Sequence, residues 1–165
     1  GSLVPADLFR VVSYGFDAGT GLGFRLVTCR VSAEALATIL EIGVAGPGPE
    51  DAFFPHVSGL RFAYDSARPP FARVDPARVR VGSEPLDPSR FYTLTLNEAI
   101  AFFLGSLGVA LEDVAPLDAF EYTALLAHVE AMNGIVDVRS EGRIRDRTAR
   151  RATPAGGPVP DPRSR

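Results

Sequence analysis

The chain has 165 residues, the size of one domain, because single cores usually hold on the order of 100–200 residues. Apolar residues make up 46% and charged residues 22%, which excludes general disorder and leaves enough apolar surface for a core. All 17 basic residues are arginine, and the single cysteine, Cys29, is accompanied by 2 histidines. Lysine Schiff-base chemistry, a P-loop lysine, an internal disulfide and a usual structural zinc site are therefore excluded.

The net charge of −3 hides an asymmetry. Up to Val138 there are 9 Arg against 17 Asp and Glu, whereas after it there are 8 Arg against 3 acids. The body is acidic and the C-terminal end basic. No apolar run reaches the roughly 18 residues of a membrane span, and the first residues lack the charged-then-apolar pattern of a secretory signal. Gly1-Ser2 reads as a protease scar, so a targeting signal is expected upstream, if anywhere.

Residues 3–12 form a short amphipathic segment, with Asp7 as N-cap and Leu8, Val11 and Val12 as its apolar side. From Leu22 to Val31 the chain alternates, with Leu22, Phe24 and Leu26 on one side and Val27, Cys29 and Val31 on the other, as in a strand covered on both faces. Ser32 then caps a helix carrying Leu36, Ile39 and Leu40, which Gly43 closes. Gly46-Pro47-Gly48-Pro49 is a loop. Val57–Tyr64, Arg78–Val81 and Phe91–Leu96 read as strands of an antiparallel meander.

Asn97–Leu107 reads as a short helix through Ile100, Phe103 and Leu104. Asp118 and Glu121 predict a capping box for a helix ending at Gly134, whose stripe of Tyr122, Leu125, Leu126, Val129 and Met132 would dock on the sheet. Residues 145–165 carry four prolines and six arginines and read as a flexible tail. The predicted organisation is a scar at residues 1–2, a domain over residues 3–145 and an Arg/Pro-rich tail over residues 146–165.

Several segments, in order, carry a family pattern. They are Leu3–Tyr14, Leu22–Glu41, Val57-Ser58-Gly59 running to Tyr64-Asp65, Pro69–Val74, Val81–Leu96 and the closing Glu141-Gly142-Arg143-Ile144. Over residues 3–145 the chain resembles the C-terminal domain of the 5′-nucleotidase and UDP-sugar hydrolase family, secreted or periplasmic metallophosphoesterases. The resemblance implies an α+β fold, a mixed sheet with an antiparallel meander and packed helices. It also implies that this domain grips a nucleoside or nucleotide between two aromatic rings. The divalent metals and the phosphoester chemistry would belong to a separate N-terminal metallophosphoesterase domain. This domain would then hold no cofactor and have no catalysis of its own, and its location would be periplasmic or secreted.

Carried over by position, the first clamping ring becomes Tyr14 in Ser13-Tyr14-Gly15. The second segment aligns on Asn97-Glu98-Ala99, which puts Ala99 at the ring position, and the later sugar-contacting Asp falls opposite Gly105. A family glycine before Phe-Leu-Gln is replaced by Ala52. The family's upstream Asn-Gly-Gly-Gly-Ile-Arg segment has no counterpart in these residues. The candidate substrate-binding residues are therefore Tyr14, Asn97, Phe102 and Phe103, the two Phe residues either replacing the lost ring or filling the core beneath the segment. No catalytic or metal residues are assigned. The alternative is a degenerate structural or protein-interaction module that has lost nucleotide binding.

Other candidates are weaker. Asp51, His56 and Ser58 have the residue types of a triad but no required geometry. His128 lies off its helix stripe, and Glu50-Asp51 and Glu112-Asp113 read as solvated surface beside loops. The arginine tail lacks interleaved aromatics, so no nucleic-acid partner is expected.

Overall fold

Cys29 lies at the middle of β1 (Arg25–Ser32), whose Val27, Cys29 and Val31 are buried while Arg30 between them is exposed. The alternation is that of a strand covered on one face, not on both as expected. The computed structural model describes residues 3–12, 18–49, 53–133, 135–137 and 139–148. These fall into two compact units, Gly1–Ile39 with Asp87–Glu141 and Leu40–Leu86 with Gly142–Arg165.

In the first unit β1 is the central strand, antiparallel to both β5 (Phe91–Asn97) and β6 (Glu112–Phe120). Complete burial of a Val31-sized side chain contributes about 1.5–3 kcal/mol. The strand β6 was not expected from sequence. It carries Pro116, which an edge strand tolerates because one side of its ladder is unpaired. The β1–β6 register shifts between Thr28 and Arg30, opposite the segment that holds Asp113 at φ 51°, a bulge that turns Asp113 onto Arg30 at 3.2 Å. Glu112 and Asp113 are exposed as predicted, but on a strand rather than beside a loop.

Three helices complete the unit. In α1 (Pro5–Val11) Asp7 sits in the first turn, its carboxylate accepting from Val4 N at 3.0 Å, so it is not the N-cap itself. α3 (Glu98–Ser106) follows β5 directly, and α4 (Glu121–Ala131) follows β6. Asp118 belongs to β6; the box at α4 is made instead by Thr123, whose Oγ1 accepts from Phe120 N at 3.1 Å and donates to Phe120 O at 3.0 Å. No residue of α4 is fully buried, and its Tyr122 meets Phe9 of α1 edge to face, ring centroids 5.5 Å apart. The expected stripe of Tyr122, Leu125, Leu126, Val129 and Met132 is half-buried, and Tyr122 within it packs against α1.

The boundary between the units falls within α2 (Ala33–Gly43). Ser32 caps it as predicted, its Oγ accepting from Ala35 N at 3.1 Å. Gly43 is required for another reason than helix termination: a Cβ there would lie 2.9 Å from the Pro55 ring.

The second unit is a four-stranded sheet in the order β4 (Glu84–Pro85), β3 (Arg80–Val81), β2 (Leu60–Tyr64), β7 (Ile144–Asp146). The 3-10 turn Pro76–Arg78 precedes β3. The meander is therefore β2, β3 and β4 alone; β5, expected to extend it, pairs with β1. β7 runs parallel to β2, with Phe62 N donating to Arg143 O at 2.9 Å and Arg147 N to Tyr64 O at 2.9 Å. Glu41 and Arg73 hold the loops around this sheet. The Glu41 carboxylate accepts from Val74 N at 2.6 Å and Arg73 N at 3.2 Å, while the Arg73 guanidinium donates to the carbonyls of Val44, Gly46 and Arg68.

Candidate functional site

The second segment of the expected nucleoside site is α3, which begins where β5 ends because Asn97 stops the strand and caps the helix. Its Oδ1 accepts from Ile100 N at 2.7 Å, satisfying one of the donors a helix start leaves open. Its Nδ2 donates to Glu121 Oε1 at 2.7 Å, so the first turn of α3 is tied to the first turn of α4. Glu98 adds a further tie, its Oε1 accepting from Arg25 N at 3.1 Å. Both acids stand in first turns, where the helix dipole favours negative charge. Asn97 is 3% exposed: its side chain is committed to holding this corner rather than to facing solvent.

The helix buries Ala101 and Leu104, and presents Ile100, Phe102, Phe103 and Leu107 outward. Phe102 is 81% exposed and Phe103 37%. The reading in which these rings fill the core beneath the segment is thereby overturned, because Ala101 and Leu104 occupy the inward positions. Ala99 is half-buried, and a Cβ at Gly105 would meet nothing within 4 Å, so the Gly105 position has room for a larger side chain. Tyr14, Ala52 and Asp51 lie outside the described residues.

The remaining candidates do not assemble. His56 and Ser58 are exposed, His56 lying edge-on to Phe54 at 6.2 Å. His128 is exposed on α4. Among the described residues no three His, Cys, Asp or Glu side chains gather as a metal site. Burial pushes the Cys29 thiol pKa up, away from a reactive thiolate. The ties made by Glu98 and Glu121 were not read from sequence: Glu121 was expected in a capping box with Asp118, and the partners the two acids actually take are 73 and 24 residues away.

The family model described as 5′-nucleotidase, C-terminal domain, matches residues 1–103. The chain belongs to that family. Among solved structures, this 5′-nucleotidase C-terminal domain is similar to the 5′-nucleotidase precursor from Thermus thermophilus, at 26% identity and TM-score 0.70, over 87% of this chain and 28% of that one. A putative 5′-nucleotidase from Staphylococcus aureus in complex with alpha-ketoglutarate shares the fold at 14% identity and TM-score 0.53, over 74% of this chain and 28% of that one. The sulfate thiohydrolase SoxB from Thermus thermophilus, in complex with glycerol, matches at 25% identity and TM-score 0.49, over 74% of this chain and 22% of that one. The 5′-nucleotidase C-terminal domain thus spans less than a third of the length of each of these proteins. No curated protein sequence matches it. No helix among its described residues is long and apolar enough to cross a membrane.

Proposed function

We propose that this chain is the substrate-binding C-terminal domain of a 5′-nucleotidase-type metallophosphoesterase, that it takes a nucleoside or nucleotide at α3, and that it carries out no phosphoester chemistry by itself. The observation that carries this reading is the exposure of Phe102, 81%, three residues beyond Ala99. Residues three and four apart share a helix face, and long helical side chains lean toward the N-terminus. Phe102 and Phe103 therefore cover the turn on which the family places its second clamping ring. Leaving a phenyl ring in water forgoes about 1.5–3 kcal/mol of burial, and stacking of a base on such a ring contributes about 1–3 kcal/mol. Tyr14 supplies the opposing ring in this reading. Asn97 is a positioning residue that fixes the helix beneath the rings. The divalent metals and the hydrolysis belong to an N-terminal metallophosphoesterase domain, and the protein works in nucleotide catabolism in the periplasm or outside the cell, as its family does.

The same helix favours a second reading. Ile100, Phe102, Phe103 and Leu107 all face solvent, an apolar surface that also suits contact with another protein. Restoring the family's groups separates the two. In the first reading Ala99→Phe with Gly105→Asp raises adenosine affinity at least about tenfold, since one stacked ring contributes about 1–3 kcal/mol and 1.4 kcal/mol is a factor of ten. A double variant that folds and gains no affinity contradicts that reading and favours the second.

A further inference from the structure

The second unit carries an arginine-rich surface that the nucleoside reading does not use. On β2, Leu60, Phe62 and Tyr64 are buried and the residues between them, Arg61 and Ala63, point the other way. Arg80 of β3 stands directly opposite Arg61, and Arg145 of β7 directly beside Ala63. One face of the sheet thus gathers three exposed arginines, with Arg78 and Arg147 at its edge, around an open concavity of about 600 Å³. Like charges directly opposite on paired strands are destabilising, and this occurs in a chain whose net charge is −3.

The carboxylates nearby do not neutralise these three. Asp75 pairs with Arg78 at 3.0 Å and caps the Pro76–Arg78 turn. Asp146 accepts from Ser66 Oγ at 2.6 Å and Thr148 N at 2.9 Å. Among the described residues Arg61, Arg80 and Arg145 have no carboxylate within salt-bridge distance. Arg30, on the other sheet, shows the contrast: it is held between Asp113 at 3.2 Å and the Phe91 ring at 4.8 Å.

Arg145 is also seated. Its Nε donates to Gly142 O at 3.2 Å, and Gly142, at φ 61°, leaves the space in which a Cβ would come within 3.0 Å of the Arg145 guanidinium. The glycine of the closing Glu-Gly-Arg-Ile segment thereby lets Arg145 fold back at the rim of the concavity.

We propose that this face is a binding site for a compact, multiply charged phosphate-type anion. Guanidinium forks pair bidentately with phosphoryl oxygens, so three converging forks suit two or more linked or adjacent oxyanions. Nothing at the site reads a base: Phe62 is the single aromatic residue lining it, and its side chain is buried. The anion is recognised by its phosphate alone, free or esterified, independently of the nucleoside site on α3.

The test is calorimetric titration of the chain with inorganic pyrophosphate, and with glycerol phosphate as an ester without a base, in buffers of matched ionic strength. Saturable pyrophosphate binding is expected. It should weaken at least about tenfold in Arg61→Gln/Arg80→Gln and in Gly142→Ala, which displaces Arg145, and stay unchanged in Arg30→Gln. Glycerol phosphate binding comparably would identify the esterified form as sufficient; binding of pyrophosphate alone would identify the free polyanion. The Arg61→Gln/Arg80→Gln variant should fold with an equal or higher Tm, since it removes opposed charges, so a lost ligand is not mistaken for a lost fold. A flat pyrophosphate titration, or equal binding by the wild-type and double-variant chains, would overturn the proposal.

Discussion

Asn97 and Glu121 are joined by a 2.7 Å hydrogen bond from the amide nitrogen to the carboxylate, across 24 residues of sequence. Because the same amide caps α3 through its oxygen, one buried side chain both starts α3 and ties it to the first turn of α4. Asn97→Ala removes a cap and leaves Glu121 without this donor, a combined cost of about 2–3 kcal/mol. Thermal unfolding should show a Tm lower by several degrees. Cys29, 1% exposed in the same unit, offers a local readout: its modification by a thiol reagent under native conditions should accelerate in the variant. An unchanged Tm and labelling rate would mean that the corner is held by other contacts.

Asp146 makes the second unit sensitive to acid. Burial pushes its carboxyl pKa up, but the hydrogen bonds from Ser66 and Thr148 outweigh that and hold it below the usual carboxylate range. A carboxylate with a depressed folded-state pKa stabilises the fold fully above its unfolded value, about 3.9, and loses that contribution as pH falls through the folded value. Asp146→Asn should therefore be less stable than the wild-type chain near neutral pH, by about 1–2 kcal/mol, and the difference should shrink toward about pH 3. Denaturant unfolding at the two pH values checks this; a gap that is constant or widens with acid would reverse the sign.

Gly43→Ala opposes two effects of known direction. Alanine improves helix propensity by about 1 kcal/mol, but its Cβ would lie 2.9 Å from two atoms of the rigid Pro55 ring. Overpacking of this kind costs about 1–3 kcal/mol, so a net loss of stability is expected in urea unfolding. A more stable variant would show that the Pro55 segment yields.

The fold was legible in the sequence where its causes are local. Ser32 announces a helix start because a cap acts within three residues, and Val27, Cys29 and Val31 announce a strand by their period. β6 was hidden because Pro116 and its exposed neighbours suppress strand patterning, although an edge strand permits both. The departure of β5 from the meander and the parallel pairing of β7 with β2 join residues far apart, and no local rule reports them. Within the candidate site, the Asn97 position was legible by family resemblance, whereas the exposure of Phe102 contradicted the usual habit of phenyl rings. The arginine face left a faint trace, the period-two pairs Arg78 with Arg80 and Arg145 with Arg147, but the register that assembles it is not local.

The central claim, a nucleoside site on α3, is tested most directly by calorimetric titration of this chain with adenosine into the millimolar range, alongside Phe102→Ala. The account predicts weak, saturable heat that falls by about tenfold or more in affinity when the exposed ring is removed. A trace that is flat, or that saturates identically in Phe102→Ala, would contradict it.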